Sequence, residues 1–144
     1  MRTLGLLFLA LAVAAMAQAP TFQSVGTMSQ LMVDIIYPTS DALFYVQRTP
    51  PQNERDWETL QSQALMLAES ANLLMLPSRA RDQDKWIKES RELLDIGAAA
   101  YKAAKAHNID AIVALSDRLN DACVSCHQDY RTNYRRRPLS TEKQ

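Results

Sequence analysis

The chain has 144 residues, enough for one domain with a real core and too few for two comfortable ones. Its 16 Lys+Arg balance 16 Asp+Glu, which excludes the strongly basic surface that nucleic-acid binding demands. Three glycines, almost no β-branched alternation and an abundance of Ala, Leu, Gln, Glu, Lys and Arg point to an all-α fold.

The first stretch, MRTLGLLFLALAVAAMAQAP, sets Arg2 before an apolar run from Leu4 to Ala15. Small residues at Ala15 and Ala17 make an A-x-A cleavage site before Gln18. The run of about a dozen residues is short of the roughly 20 that span a bilayer. Residues 1–17 are therefore expected to be a signal peptide cleaved on export to the periplasm, the rival being a retained anchor. Residues 18–144 are expected to form one domain. Cleavage removes one base, Arg2, and no acid, leaving 15 Lys+Arg against 16 Asp+Glu, net −1. In a periplasm two free thiols are normally oxidised, so both cysteines must be paired or otherwise consumed.

Four helical segments make up the rest. The first is expected over residues 22–46, interrupted at Tyr37-Pro38, because proline lacks a donor and clashes with the preceding turn. Thr39 or Ser40 is available to cap its continuation. QRTPPQN, with Pro50 and Pro51, is a firm break. The second helix starts at Asn53 as N-cap, with Glu54 and Asp56 in its first turn. Trp57, Leu60, Ala64, Leu67, Ala71 and Leu74 recur at the three-four spacing of a bundle seam, and Pro77 and Ser78 close the helix.

The third helix is expected over 82–107, with Trp86, Leu93, Gly97, Ala100 and Ala104 inward. Its seam narrows to small residues, which either bring a neighbouring helix close or leave room for something flat. Trp57 and Trp86 head their helices and are expected to pack at one end of the bundle. The fourth helix is expected from 110 to about 135, with Ile112, Leu115, Leu119, Ala122 and Cys126 inward. Arg135, Arg136 and Arg137 suit a solvated helix end, where the macrodipole favours cations. Four such helices with short connections predict an antiparallel four-helix bundle.

DACVSCHQDYR, residues 121–131, holds both cysteines and one of the two histidines. On a helix, positions i, i+3 and i+4 share a face, so Cys123, Cys126 and His127 project together. C-x-x-C-H is the attachment signature of c-type haem: two thiols add to the vinyl groups as thioethers while the imidazole reaches the iron. Three rivals read the same residues differently. Structural zinc wants four Cys/His ligands, and His107, expected at the surface near a helix end, would have to fold back to supply the fourth. A redox dithiol prefers a helix N-terminus, where the dipole lowers a thiol pKa, and this pair lies deep in its helix. A disulfide explains the cysteines and leaves the histidine idle.

CVSCHQDYR resembles the C-x-x-C-H-x-x-Y-R ending of class II c-type cytochromes, the cytochrome c′ and cytochrome c556 family. Cys123, Cys126, His127, Tyr130 and Arg131 carry the resemblance, and elsewhere it rests on helical architecture. It implies a monohaem electron carrier with no substrate-turnover site, haem c held by two thioether bonds, and redox partner proteins in the periplasm; dimers are common among related cytochromes c′. It also implies that His127 is one iron ligand and that the first helix covers the opposite face. There, low-spin members place a methionine, and high-spin members leave the position open to NO or CO.

The first helix carries Met28 and Met32, and QLMVDIIYPTSDALF looks like a c556-like segment in which a methionine precedes an I-x-P turn. The expected cofactor-binding set is Cys123, Cys126, His127 and Met32, with His127 and Met32 on the metal; Met28 and an open position are the alternatives. Met66 and Met75 read as packing residues. Tyr130 reads equally as a haem-edge contact or a core aromatic, and Arg131 as a propionate partner or an exposed helix-end residue.

Overall fold

The first helix begins where a threonine satisfies the leading amides. Thr27 is extended, its hydroxyl accepts the Gln30 N–H, and the Gln30 side chain takes the Thr27 N–H at 2.9 Å, a reciprocal capping box. The computed structural model describes residues 22–131; the expected signal peptide and the Arg135–Arg137 cluster lie outside the described residues.

From this cap α1 (residues 28–44) continues past Pro38, with a change of helix type at Tyr37 and no break in the chain of helical turns. Pro38 cannot donate to the preceding turn and its ring crowds the carbonyl four residues back. The chain answers by widening: Leu31–Ile36 forms a π-helical turn with the Tyr37 N–H on Met32 O. The α-helix then resumes as Tyr37–Phe44 with Pro38 in its first turn, where the missing donor costs nothing. Thr39 and Ser40 do not cap. Thr39 Oγ1 lies 2.7 Å from Ile35 O and 3.0 Å from Ile36 O, and Ser40 Oγ lies 2.9 Å from Tyr37 O, so both hydroxyls bond back to their own helix.

Asn53 caps α2 (Glu54–Leu74), accepting the Asp56 N–H at 3.1 Å. After α3 (Lys85–Lys105) the chain turns at His107, with φ of 52°. Asn108 caps α4 (Ile109–Val113) by accepting the Ala111 N–H at 2.9 Å. The single helix expected from 110 to 135 is instead α4 followed by α5 (Ser116–Tyr130). Ile109, Ile112 and Val113 are β-branched and weak helix formers, and bonding tightens where Leu115 N–H meets Ile112 O. Arg131 turns extended and ends α5 four residues after His127.

The broadest packing is between α2 and α3. The seam residues read from spacing are buried: Leu60, Ala64, Leu67, Ala71 and Leu74 on α2, and Trp86, Leu93, Gly97, Ala100 and Ala104 on α3. Trp57 is half-buried, and Met66, expected to pack, faces solvent. A Cβ on Gly97 would stand 2.6 Å from Ala68 N. The small residues of α3 therefore serve the close approach of α2, not a flat ligand.

Trp57 stacks on His107, ring centroids 4.5 Å apart, while Trp86 Nε1 donates to Leu74 O at 2.7 Å. The two tryptophans thus lie at opposite ends of the pair, not together as expected, because antiparallel helices hold their N-termini apart. Lys85–Asp129, Glu89–Ser125 and Glu92–Arg118 bridge α3 to α5 with falling partner numbers, so these helices are antiparallel too. With α1 packed on α2 and touching α5, the all-helical arrangement is compatible with a helical bundle. Among the described residues no helix is long and apolar enough to cross a membrane.

Candidate functional site

Helix α5 sets Cys123, Cys126 and His127 on one half-buried face. They line a cavity of about 520 Å³, a size usual for cofactor and small-molecule sites of about 300–1,000 Å³. The facing wall belongs to α1, which contributes Met28, Met32, Ile36 and Phe44. Trp86 of α3 also lines it, as do Arg81 and Arg131, the only charged groups among the described residues apart from the titratable imidazole. All four expected site residues meet here. Met28 meets them as well, so both methionines are brought to the cavity.

Tyr130 lines the same cavity and is fixed at both its ring and its hydroxyl. Its ring meets Trp86 edge-on at 4.9 Å and its hydroxyl donates to Asp82. Asp82 also accepts the Asp84 and Trp86 backbone N–H groups, each at 3.0 Å. Tyr130 thus packs against a tryptophan and the start of α3. The shared hydrogen bond holds the Asp82 carboxyl below its usual range, helped by the Trp86 N–H, and raises the Tyr130 phenol. Asp82 was legible as a helix-start acid. Its bond to a residue 48 positions away had no local signal.

Burial pushes the Cys123 thiol up. Burial, followed by the charge of Glu89, pushes Cys126 up to about 12. Both are free thiols. A redox dithiol needs the opposite shift, toward thiolate. Burial first, then Arg131, lowers the His127 pKa, which keeps the imidazole neutral, the form that binds a metal.

The zinc reading fares no better. Among the described residues no group of three or more His, Cys, Asp and Glu is gathered for a bare ion. His107 lies by Trp57, 3.5 Å from Glu54, at the far end of α2 and α3 from Trp86.

The residues fit haem in kind. Cys123, Cys126 and His127 share one wall, two methionines line the other, the lining between is largely apolar, and two arginines stand at the cavity. Compared with family models, curated proteins and solved structures, the chain gives no match, and a functional reading stands on this site.

Proposed function

We propose that the protein is an exported periplasmic monohaem c-type cytochrome of the class II kind, an electron carrier without substrate turnover. In this reading the helices form an antiparallel four-helix bundle with the haem motif on the last. The supporting observation is that Cys123, Cys126 and His127 share a cavity with Met28 and Met32. Cys123 and Cys126 would hold the haem through thioether bonds, and His127 and Met32 would bind its iron. Haem, when bound, supplies a one-electron couple, and His/Met ligation raises its potential.

The chain's own part is to bind, orient and exclude water. Ile36, Phe44 and Trp86 keep the interior apolar, and Arg81 and Arg131 would meet the carboxylates of a bound haem. Met32 is preferred to Met28 because it also lines the small inner cavity beside Cys126 and His127. A second reading, a high-spin NO or CO binder, draws on Val33 and Tyr37, which line this cavity while exposed to solvent.

The absorption spectrum of protein expressed with haem-maturation machinery decides between them. Low-spin bands with a methionine-to-iron charge-transfer feature are expected, and Met32→Ala is expected to make the protein high-spin. A high-spin wild type shifted by CO favours the second reading. Pigment that washes out in acid-acetone, or no pigment at all, ends the covalent-haem assignment.

A further inference from the structure

His127 stands in the last turn of α5, where a helix runs out of partners for its final carbonyls and is prone to fray. The chain leaves the helix at once: Arg131 is extended, with its N–H on His127 O at 3.1 Å. Tyr130 is the last helical residue, three positions after His127, and residues so spaced share a face. A group that holds Tyr130 in place therefore holds the turn from which the imidazole projects.

That group is Asp82, just ahead of α3. Its Oδ2 accepts the Tyr130 hydroxyl, while its Oδ1 accepts the Asp84 and Trp86 backbone N–H groups, each at 3.0 Å. With both oxygens engaged, the carboxylate cannot rotate without breaking a bond. Trp86 completes the anchor. It is 3% exposed, its Nε1–H is on Leu74 O, and the Tyr130 ring meets it edge-on. The α5 turn is thus bonded to a point tied to both α2 and α3. Lys85–Asp129 joins the same two segments, but its side chains are 55% and 35% exposed, and exposed ion pairs count for little. A hydroxyl on a carboxylate is the stronger kind of bond.

We propose that Asp82 is a positioning residue for His127: acting through Tyr130, it pins the last turn of α5 to the start of α3 and fixes the direction in which the imidazole enters the cavity. Asp82 is not among the residues that line the cavity, so its part is played through Tyr130. The pinning of the turn does not depend on the cytochrome reading; its effect at an iron rests on that reading.

Backbone hydrogen exchange of the full-length mature protein, with whatever it carries covalently, tests the pin. Tyr130→Phe keeps the ring against Trp86 and removes only the hydroxyl, and Asp82→Asn removes the charge that strengthens the bond. Both are expected to speed exchange of the amides from Cys126 to Arg131 by about tenfold or more, the usual effect on local opening of losing a bond to a charged group. The α2 amides from Leu60 to Leu74 are expected to stay as they were. Lys85→Ala is expected to do less than Tyr130→Phe. Unchanged exchange in Tyr130→Phe overturns the pin, and a larger effect from Lys85→Ala gives the role to the ion pair instead. Should Asp82→Asn not fold, Tyr130→Phe alone decides.

In haem-loaded protein, the haem-methyl proton shifts of the ferric form follow the plane of an axial imidazole. Tyr130→Phe and Asp82→Asn are expected to move them, and Lys85→Ala to leave them in place. Faster exchange with unmoved methyl shifts makes the bond structural only and overturns the positioning of His127. Protein without haem ends the cytochrome reading, and the exchange comparison still decides the pin.

Discussion

Gly97 meets the backbone of Ala68 so closely that any side chain must displace a helix, since an added Cβ would lie 2.6 Å from Ala68 N and 2.8 Å from Ala68 Cα. Backbone cannot swing aside as a long side chain can. Gly97→Ala is therefore expected to destabilise by about 1–3 kcal/mol, the usual range for overpacking, despite the better helix propensity of alanine; thermal melting followed by circular dichroism measures it.

Asp82 carries a second residue-scale expectation. Its folded pKa lies below its unfolded value because of the Tyr130 hydroxyl and then the Trp86 N–H. Such a group contributes stability that is present above the unfolded pKa, about 3.9, and is lost as pH falls through the lower folded value. Acid unfolding of Asp82→Asn should lack that part of the wild-type decline below about pH 4. Identical acid limbs would show that the Tyr130–Asp82 bond adds nothing to stability.

At the scale of elements, α1 shows how one proline reshapes a helix without ending it. A π turn adds about one residue to the helix, rotating the turns before it by about 100° relative to the turns after it. Met32 reaches the cavity from that widened stretch and Met28 from the α-helical turn before it, while Pro38 opens the α-helical stretch beyond. Two hydrogen bonds near the ends of this arrangement can be probed. Thr27→Ala removes the cap and is expected to cost about 1 kcal/mol, read as a lower denaturant midpoint. Thr39→Val keeps the shape of a buried side chain and removes the hydroxyl at Ile35 O and Ile36 O; it should cost about 0.5–1.5 kcal/mol. The T-x-x-Q capping box was present in the sequence as Thr27 and Gln30, a local signal that places the helix start at Met28 instead of residue 22.

For the whole molecule, the α2–α3 seam packs through its own leucines and alanines, and the large cavity lies between α1 and α5. Haem bound there would stabilise the native state alone, raising its melting temperature by mass action and covalent attachment. Protein made without haem maturation should therefore keep most of its helical circular dichroism and melt at a lower temperature than the haem-loaded form. Equal melting temperatures would count against the cavity as the binding place.

What the sequence determined by itself was what short-range rules govern. Asn53 as a cap, the three-four seams of α2 and α3, and the common face of Cys123, Cys126 and His127 all derive from helix periodicity within a few residues. Only the tertiary structure decided matters that depend on partners far along the chain. It turned the small seam at Gly97 into a helix contact, sent Trp57 and Trp86 to opposite ends, and paired Tyr130 with Asp82. It also brought both methionines of α1 to the cysteine cavity. Helix periodicity says which face a side chain takes, while the mutual placement of faces is set by packing, where one proline or one missing Cβ changes what each face meets.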